Sequence, residues 1–239
     1  MSGSPYALRA EGVRKVFGSN EVLTSASVWA KSGCVTTLLG RNGSGKTTLL
    51  RVAAGVLRPD QGVVAVDGVA LVPAKLHELA TRGVMFLPQG RLLVPSLSVA
   101  EHFRAIATTF GGSHVDEAVD AAGVESLMPQ RAETLSGGEK ARVSLALAMA
   151  RAPRVLLADE PLVGLAPVDQ ERLGQLLRLL AAQGVAVVTS GHDTPILLSI
   201  SDEIIWSAAG TTHHIGSPEA AQKHDQFRRE YLGPGYRMS

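Results

Sequence analysis

The run Gly40-Arg41-Asn42-Gly43-Ser44-Gly45-Lys46-Thr47 places spaced glycines ahead of a lysine and a hydroxyl. The apolar segment Val35 to Leu39 precedes it, and Thr47 to Ala54, which has helical spacing, follows. Glycines let the backbone curl so that successive N–H groups converge, and the start of a helix adds the positive end of its dipole. Such a loop cradles phosphate. In that arrangement Lys46 sets its ammonium against the β and γ phosphates, Thr47 offers a hydroxyl to Mg²⁺, and Thr48 hydrogen-bonds a neighbouring phosphate.

Downstream, Val155-Leu156-Leu157-Ala158 ends in Asp159-Glu160, an apolar strand finishing in paired carboxylates. Side chains alternate along a strand, so adjacent acids at its end take different tasks. Asp159 would hold Mg²⁺, directly or through water, and Glu160 would orient and polarise an attacking water. A phosphate-cradling loop with these acids reads as a nucleoside triphosphatase, but does not choose among kinase, GTPase, helicase and transporter ATPase.

Positioning these groups needs a rigid scaffold. Short apolar runs at Val35 to Leu39, Val63 to Val66, Val84 to Leu87, Val155 to Ala158 and Val185 to Thr189 each read as a buried strand. Helical spacing marks Thr47 to Ala54, Glu139 to Arg151 and Asp169 to Ala182. The alternation predicts an α/β domain with a largely parallel central sheet, and a ligand site at the strands' carboxyl ends. Ala7 to Val16 and Val22 to Trp29, joined by a turn at Gly18-Ser19-Asn20, predict an antiparallel side sheet. Val99 to Thr109 and Val115 to Ala122 read as helices of a lobe inserted into the core. The reading is a single domain over 1–239, with its core at 1–89 and 151–239 and the helical lobe at about 90–150; the tail Gly233 to Ser239 is expected to be mobile.

Composition narrows the classes. Lys and Arg total 23 against 22 Asp and Glu, so the chain as a whole carries no strong electrostatic footprint for nucleic acid or anionic lipid, which leaves room for local patches. The single cysteine, Cys34, excludes an internal disulfide framework and fits a reducing compartment, so cytoplasm is expected. The N-terminus lacks the apolar core of a signal peptide, and stretches such as Ile196 to Ile200 fall far short of the roughly 18–20 residues that cross a bilayer. A membrane would be reached through a partner.

Between the loop and the acids, Leu135-Ser136-Gly137-Gly138-Glu139 opens a helix and resembles the signature sequence of ABC-type ATPases. A serine and two glycines at a helix start expose a hydroxyl and backbone N–H groups, making a second anion site. The resemblance implies a P-loop fold with a RecA-like core sheet, and two copies that sandwich ATP–Mg²⁺ head to tail. Ser136, Gly137, Gly138 and Glu139 of one copy would then face the nucleotide on the other. It also implies that Phe17 stacks on adenine, that Gln89 reaches Mg²⁺ and senses a membrane subunit, and that His192 contacts the γ-phosphate. The expected partners are an integral membrane transporter subunit and a second identical or related ATPase chain, with no nucleic acid. The expected location is peripheral, on the cytoplasmic face of the inner (plasma) membrane.

Within the family, Leu87-Pro88-Gln89-Gly90-Arg91, the phrase Pro95 to His102, and Gly164-Leu165-Ala166-Pro167 resemble ATPases of branched-chain amino acid importers. Arg228 to Gly233 is similar to that branch and to lipopolysaccharide-export ATPases. Ala166 stands where many relatives carry an Asp that links the two sites. Gly191 precedes His192 where a larger residue is usual, which implies a looser loop. The alternatives are a soluble ABC ATPase acting on nucleic acid or ribosomes, and a noncatalytic nucleotide-binding regulator.

Overall fold

The computed structural model describes residues 5–90, 92–192 and 194–232. The tail Gly233 to Ser239 and Arg91 of the Leu87 to Arg91 phrase lie outside the described residues.

The chain begins with an antiparallel hairpin, β1 (Tyr6–Phe17) and β2 (Asn20–Lys31), in which Phe17 pairs with Asn20 across the turn. Next come β3 (Val35–Leu39), the glycine-rich loop and α1 (Lys46–Ala53). β4 (Gln61–Val66) and β5 (Val69–Leu71) return to pair antiparallel beside β1. The apolar run Val63 to Val66 is thus a strand, but of the side sheet and not of the parallel layer. Apolarity reports burial, not strand direction.

A short helix, α2 (Leu76–Thr81), leads into β6 (Val84–Leu87), and then α3 (Val99–Phe110), α4 (Val115–Ala122) and α5 (Gly137–Arg151) follow without a strand. The chain re-enters the sheet as β7 (Val155–Ala158), crosses by α6 (Pro167–Ala182) to β8 (Ala186–Gly191), and passes α7 (Thr194–Ile200) to β9 (Glu203–Ala208) and β10 (Thr211–Gly216). It finishes with α8 (Pro218–Lys223) and a last turn, Arg228–Leu232.

One curled sheet runs β5-β4-β1-β2-β10-β9-β3-β8-β7-β6. From β9 to β6 the neighbours are parallel. Every residue of β3, β7 and β8 is buried, as strands covered on both faces must be. On one face α5, α6 and α7 cover the sheet, α6 through Leu173, Leu176, Leu177 and Leu180 at three- and four-residue steps. On the other face α1 presents Leu49 and Leu50 to the core shared with β1 and β2. Burying one such leucine stabilises the fold by about 1.5–3 kcal/mol. The result is an α/β architecture in which β3, β7 and β8 deliver their carboxyl ends side by side.

Candidate functional site

The loop sits where β3 must turn into α1. Gly43 (φ 80°) and Gly45 (φ 96°) occupy left-handed backbone, which side chains resist. At Gly45 a β-carbon would also stand 2.5 Å from Leu23 Cδ2, so glycine is required twice over. The loop is held from outside by β9, whose Ser207 Oγ donates to the Ser44 carbonyl at 2.9 Å. Arg41 donates to the Glu230 carbonyl at 2.8 Å. Asn42 is exposed, and Ser44 Oγ is buried without a hydrogen-bond partner, a polar atom in need of a ligand.

Lys46 is 4% exposed and folds over the loop it closes, donating to the carbonyls of Gly40 at 2.8 Å and Arg41 at 3.2 Å. Its Nζ also lies 3.4 Å from Glu160 Oε1. The buried ammonium is thus held by two carbonyls and a carboxylate.

Beneath it, Asp159 Oδ1 accepts from Thr47 Oγ1 at 3.1 Å and from Ser190 Oγ at 2.8 Å. Burial pushes the Asp159 carboxyl above its usual pKa, against the hydrogen bonds from Ser190 and Thr47. Ser190 also accepts from the Glu160 N–H at 3.0 Å. It therefore ties both acids to β8. Glu160 itself adopts φ 47°, a left-handed conformation costly for a non-glycine residue and often kept at functional sites. His192 Nδ1 approaches Glu160 Oε1 at 3.8 Å. Lys46, Glu160 and His192 thus converge above Thr47 and Asp159.

Gln89 and Glu160 line a cavity of about 600 Å³ between β6, the start of α5 and the segment after Glu160. Gly137 and Lys140 line its far wall. Ser136 is exposed and caps α5 in a reciprocal box, its Oγ accepting from Glu139 N–H at 3.3 Å and its own N–H donating to Glu139 Oε2 at 2.8 Å. That donation is the main reason Glu139 has a lowered pKa. The Gly137 position opens onto free space, whereas at Gly138 a β-carbon would strike the Asp169 carboxylate. In this chain the Ser136 to Glu139 segment hydrogen-bonds to itself and not to the phosphate loop. Phe17 is 47% exposed at the tip of β1, with Lys15 Nζ 5.5 Å from its ring centroid.

Sequence reading missed Ser190, Ser207 and the contacts from Glu230 and Tyr231. Serine carries no motif here, and what it touches is fixed by strand order. Gly191, expected to loosen the loop before His192, lies within a strand. It is the buried last residue of β8, paired with Leu39, and a β-carbon would collide with Leu197 of α7. Glycine there permits close packing of α7.

A family model described as ABC transporter matches residues 23–163. The lipopolysaccharide export system ATP-binding protein LptB of Acidithiobacillus ferridurans is 30% identical over 237 residues, covering 97% of this chain and 98% of that protein. LptB of Haemophilus influenzae is 29% identical over 238 residues, covering 97% and 99%. Among solved structures, a dimeric ATP-binding cassette in a post-hydrolysis state with ADP and Pi superposes with a TM-score of 0.76 at 25% identity, covering 87% of this chain and 98% of that one. With a glycine-rich loop, strand-end acids and a serine-capped helix gathered on one sheet, and with these relatives matching nearly end to end, the chain belongs to the ABC transporter family as an ATP-binding, ATP-hydrolysing subunit.

Proposed function

We propose that this subunit works as a pair of copies that close on two ATP molecules and drive a separate integral membrane subunit from the cytoplasmic face. The observation that carries the reading is the convergence of Lys46, Glu160 and His192 over Thr47 and Asp159. The exposed Ser136 cap supports the second half of it. Ser136 is exposed and a β-carbon at Gly137 would meet nothing within 4 Å, so the cap is accessible to a second chain. A two-fold dimer brings each cap to the other's loop, and both contacts form at once. The dimeric ADP- and Pi-bound cassette gives precedent for the pairing.

In this mechanism the loop N–H groups and Lys46 grip the β and γ phosphates, Ser44 Oγ finds its partner there, and Phe17 supports adenine. Glu160 orients the attacking water and accepts its proton, while His192 steadies the γ-phosphate and Gln89 reports from the cavity rim. Mg²⁺ fits the oxygen pair Thr47 and Asp159. Among the described residues no group of His, Cys, Asp and Glu could hold a metal alone, as suits an ion that completes its shell with phosphate and water. When bound, Mg²⁺ neutralises charge building on the phosphates.

We place the membrane partner at the cavity beside Gln89, taking the core as 1–89 and 151–239 and the helical lobe as about 90–150. Among the described residues no helix is long and apolar enough to cross a membrane, so a partner must supply the spans. The relatives named for lipopolysaccharide export favour an exporter of that branch, whereas Gly164 to Pro167 favours branched-chain amino acid import. We place the chain with the LptB-like exporters, because that likeness covers the whole chain. Action on nucleic acid is disfavoured by the near-neutral charge and by helices no longer than the 16 residues of α6 among those described.

Mixing Lys46→Ala with Ser136→Arg chains tests the shared site. Each alone should be inactive. An equal mixture forms about half heterodimers, each with one intact composite site, and should recover about a quarter of native hydrolysis. No recovery sinks the head-to-tail arrangement.

A further inference from the structure

We propose that the last turn, Arg228–Leu232, is a strap that positions His192 for hydrolysis, with Tyr231 as the positioning residue. The strap ties together the two loops that must act on one phosphate. At its start Phe227, fully buried, meets the edge of Trp206 with ring centroids 5.7 Å apart. Trp206 pairs directly with Leu39, the last residue before the glycine-rich loop. Tyr231 stacks on Phe227 at 5.2 Å and 23°, which fixes where its hydroxyl points. That hydroxyl donates to the His192 carbonyl at 3.2 Å, and the neighbouring Glu230 carbonyl receives Arg41 at 2.8 Å.

The His192 side chain is 41% exposed and just beyond the end of β8, so the sheet alone does not fix it. Holding its carbonyl orients the backbone that aims the ring towards Glu160. Displacement of a catalytic group by about 1 Å can cost on the order of a hundredfold in rate, so a hydrogen bond of this kind acts on turnover more than on folding.

This inference rests on the assignment of His192 to the γ-phosphate, and the test separates the two. ATP hydrolysis by the full chain is measured for the native protein, Tyr231→Phe, His192→Ala and the double variant. Tyr231→Phe keeps the stack and loses only the hydroxyl. It should lower kcat about threefold to tenfold with KM and the unfolding temperature unchanged. Adding Tyr231→Phe to His192→Ala should change nothing further. A native kcat for Tyr231→Phe beside an impaired His192→Ala overturns the strap alone, as does an equal fold-loss in both backgrounds. A native rate for His192→Ala overturns the assignment beneath it.

Discussion

Asp159→Asn pits stability against function. The native side chain is 2% exposed, and both of its hydrogen bonds, from Ser190 and Thr47, converge on Oδ1. Asparagine can keep a carbonyl oxygen at that point, while an amide NH₂ replaces the other carboxylate oxygen and the charge is lost. Burial has raised the Asp159 pKa above 3.8. A carboxyl with a raised folded pKa contributes its full stability below the unfolded value and loses it as pH rises through the folded one. At neutral pH, without metal, the ionised group is therefore a cost to the fold. Removing it should stabilise the nucleotide-free chain, and each kcal/mol gained raises the Tm of a chain of this length by about 2–4 °C. The advantage should be absent at about pH 3 and grow towards neutrality, as followed by thermal unfolding in EDTA. With Mg²⁺ and ATP at about 100 times Kd the order should reverse, because the native protein gains about 2.7 kcal/mol from the ligand and the variant gains little. Hydrolysis should fall by about a hundredfold or more. An asparagine variant less stable than native in EDTA at neutral pH would refute the burial argument, and native turnover would refute the metal assignment.

Gly45→Ala forces a side chain into φ 96° and against Leu23 and the Val22 carbonyl. Left-handed backbone costs about 1–2 kcal/mol and overpacking about 1–3 kcal/mol, so both the unfolding temperature and ATP affinity should drop. A variant that keeps both shows that the loop tolerates a shape the geometry forbids. Phe17→Ala removes an exposed ring and should change unfolding stability by no more than about 0.5 kcal/mol. Losing a stacked base costs about 1–3 kcal/mol, so KM for ATP should rise about fivefold or more, and an unchanged KM would remove Phe17 from the adenine site.

The placement of the candidate residues was legible where local residue order decides it. Gly40 to Thr47 are contiguous and form one loop between β3 and α1, Asp159 and Glu160 are adjacent at the end of β7, and Ser136 and Glu139 stand three apart and cap α5. Strand order was not legible, because periodicity carries no direction. Val63 to Val66 therefore read like Val84 to Leu87, although one pairs antiparallel with β1 and the other parallel with β7. β9 and β10 went unread, because Ile204, Ile205 and Trp206 form a short run whose polar neighbours mask it. Their omission hid Ser207 and Trp206, which brace the phosphate loop and the strap. Ser190 was invisible for the same reason, since only the β3-β8-β7 order brings it between the acids.

The most direct test of the shared nucleotide uses Glu160→Gln. Glutamine removes a carboxylate that would repel the γ-phosphate and abolishes the base, so ATP should bind and stay. Light scattering should then find a particle of twice the 25.0 kDa chain with Mg²⁺–ATP, and a single chain without nucleotide. A Glu160→Gln protein that remains a single chain at saturating ATP, or that hydrolyses ATP at the native rate, contradicts the account.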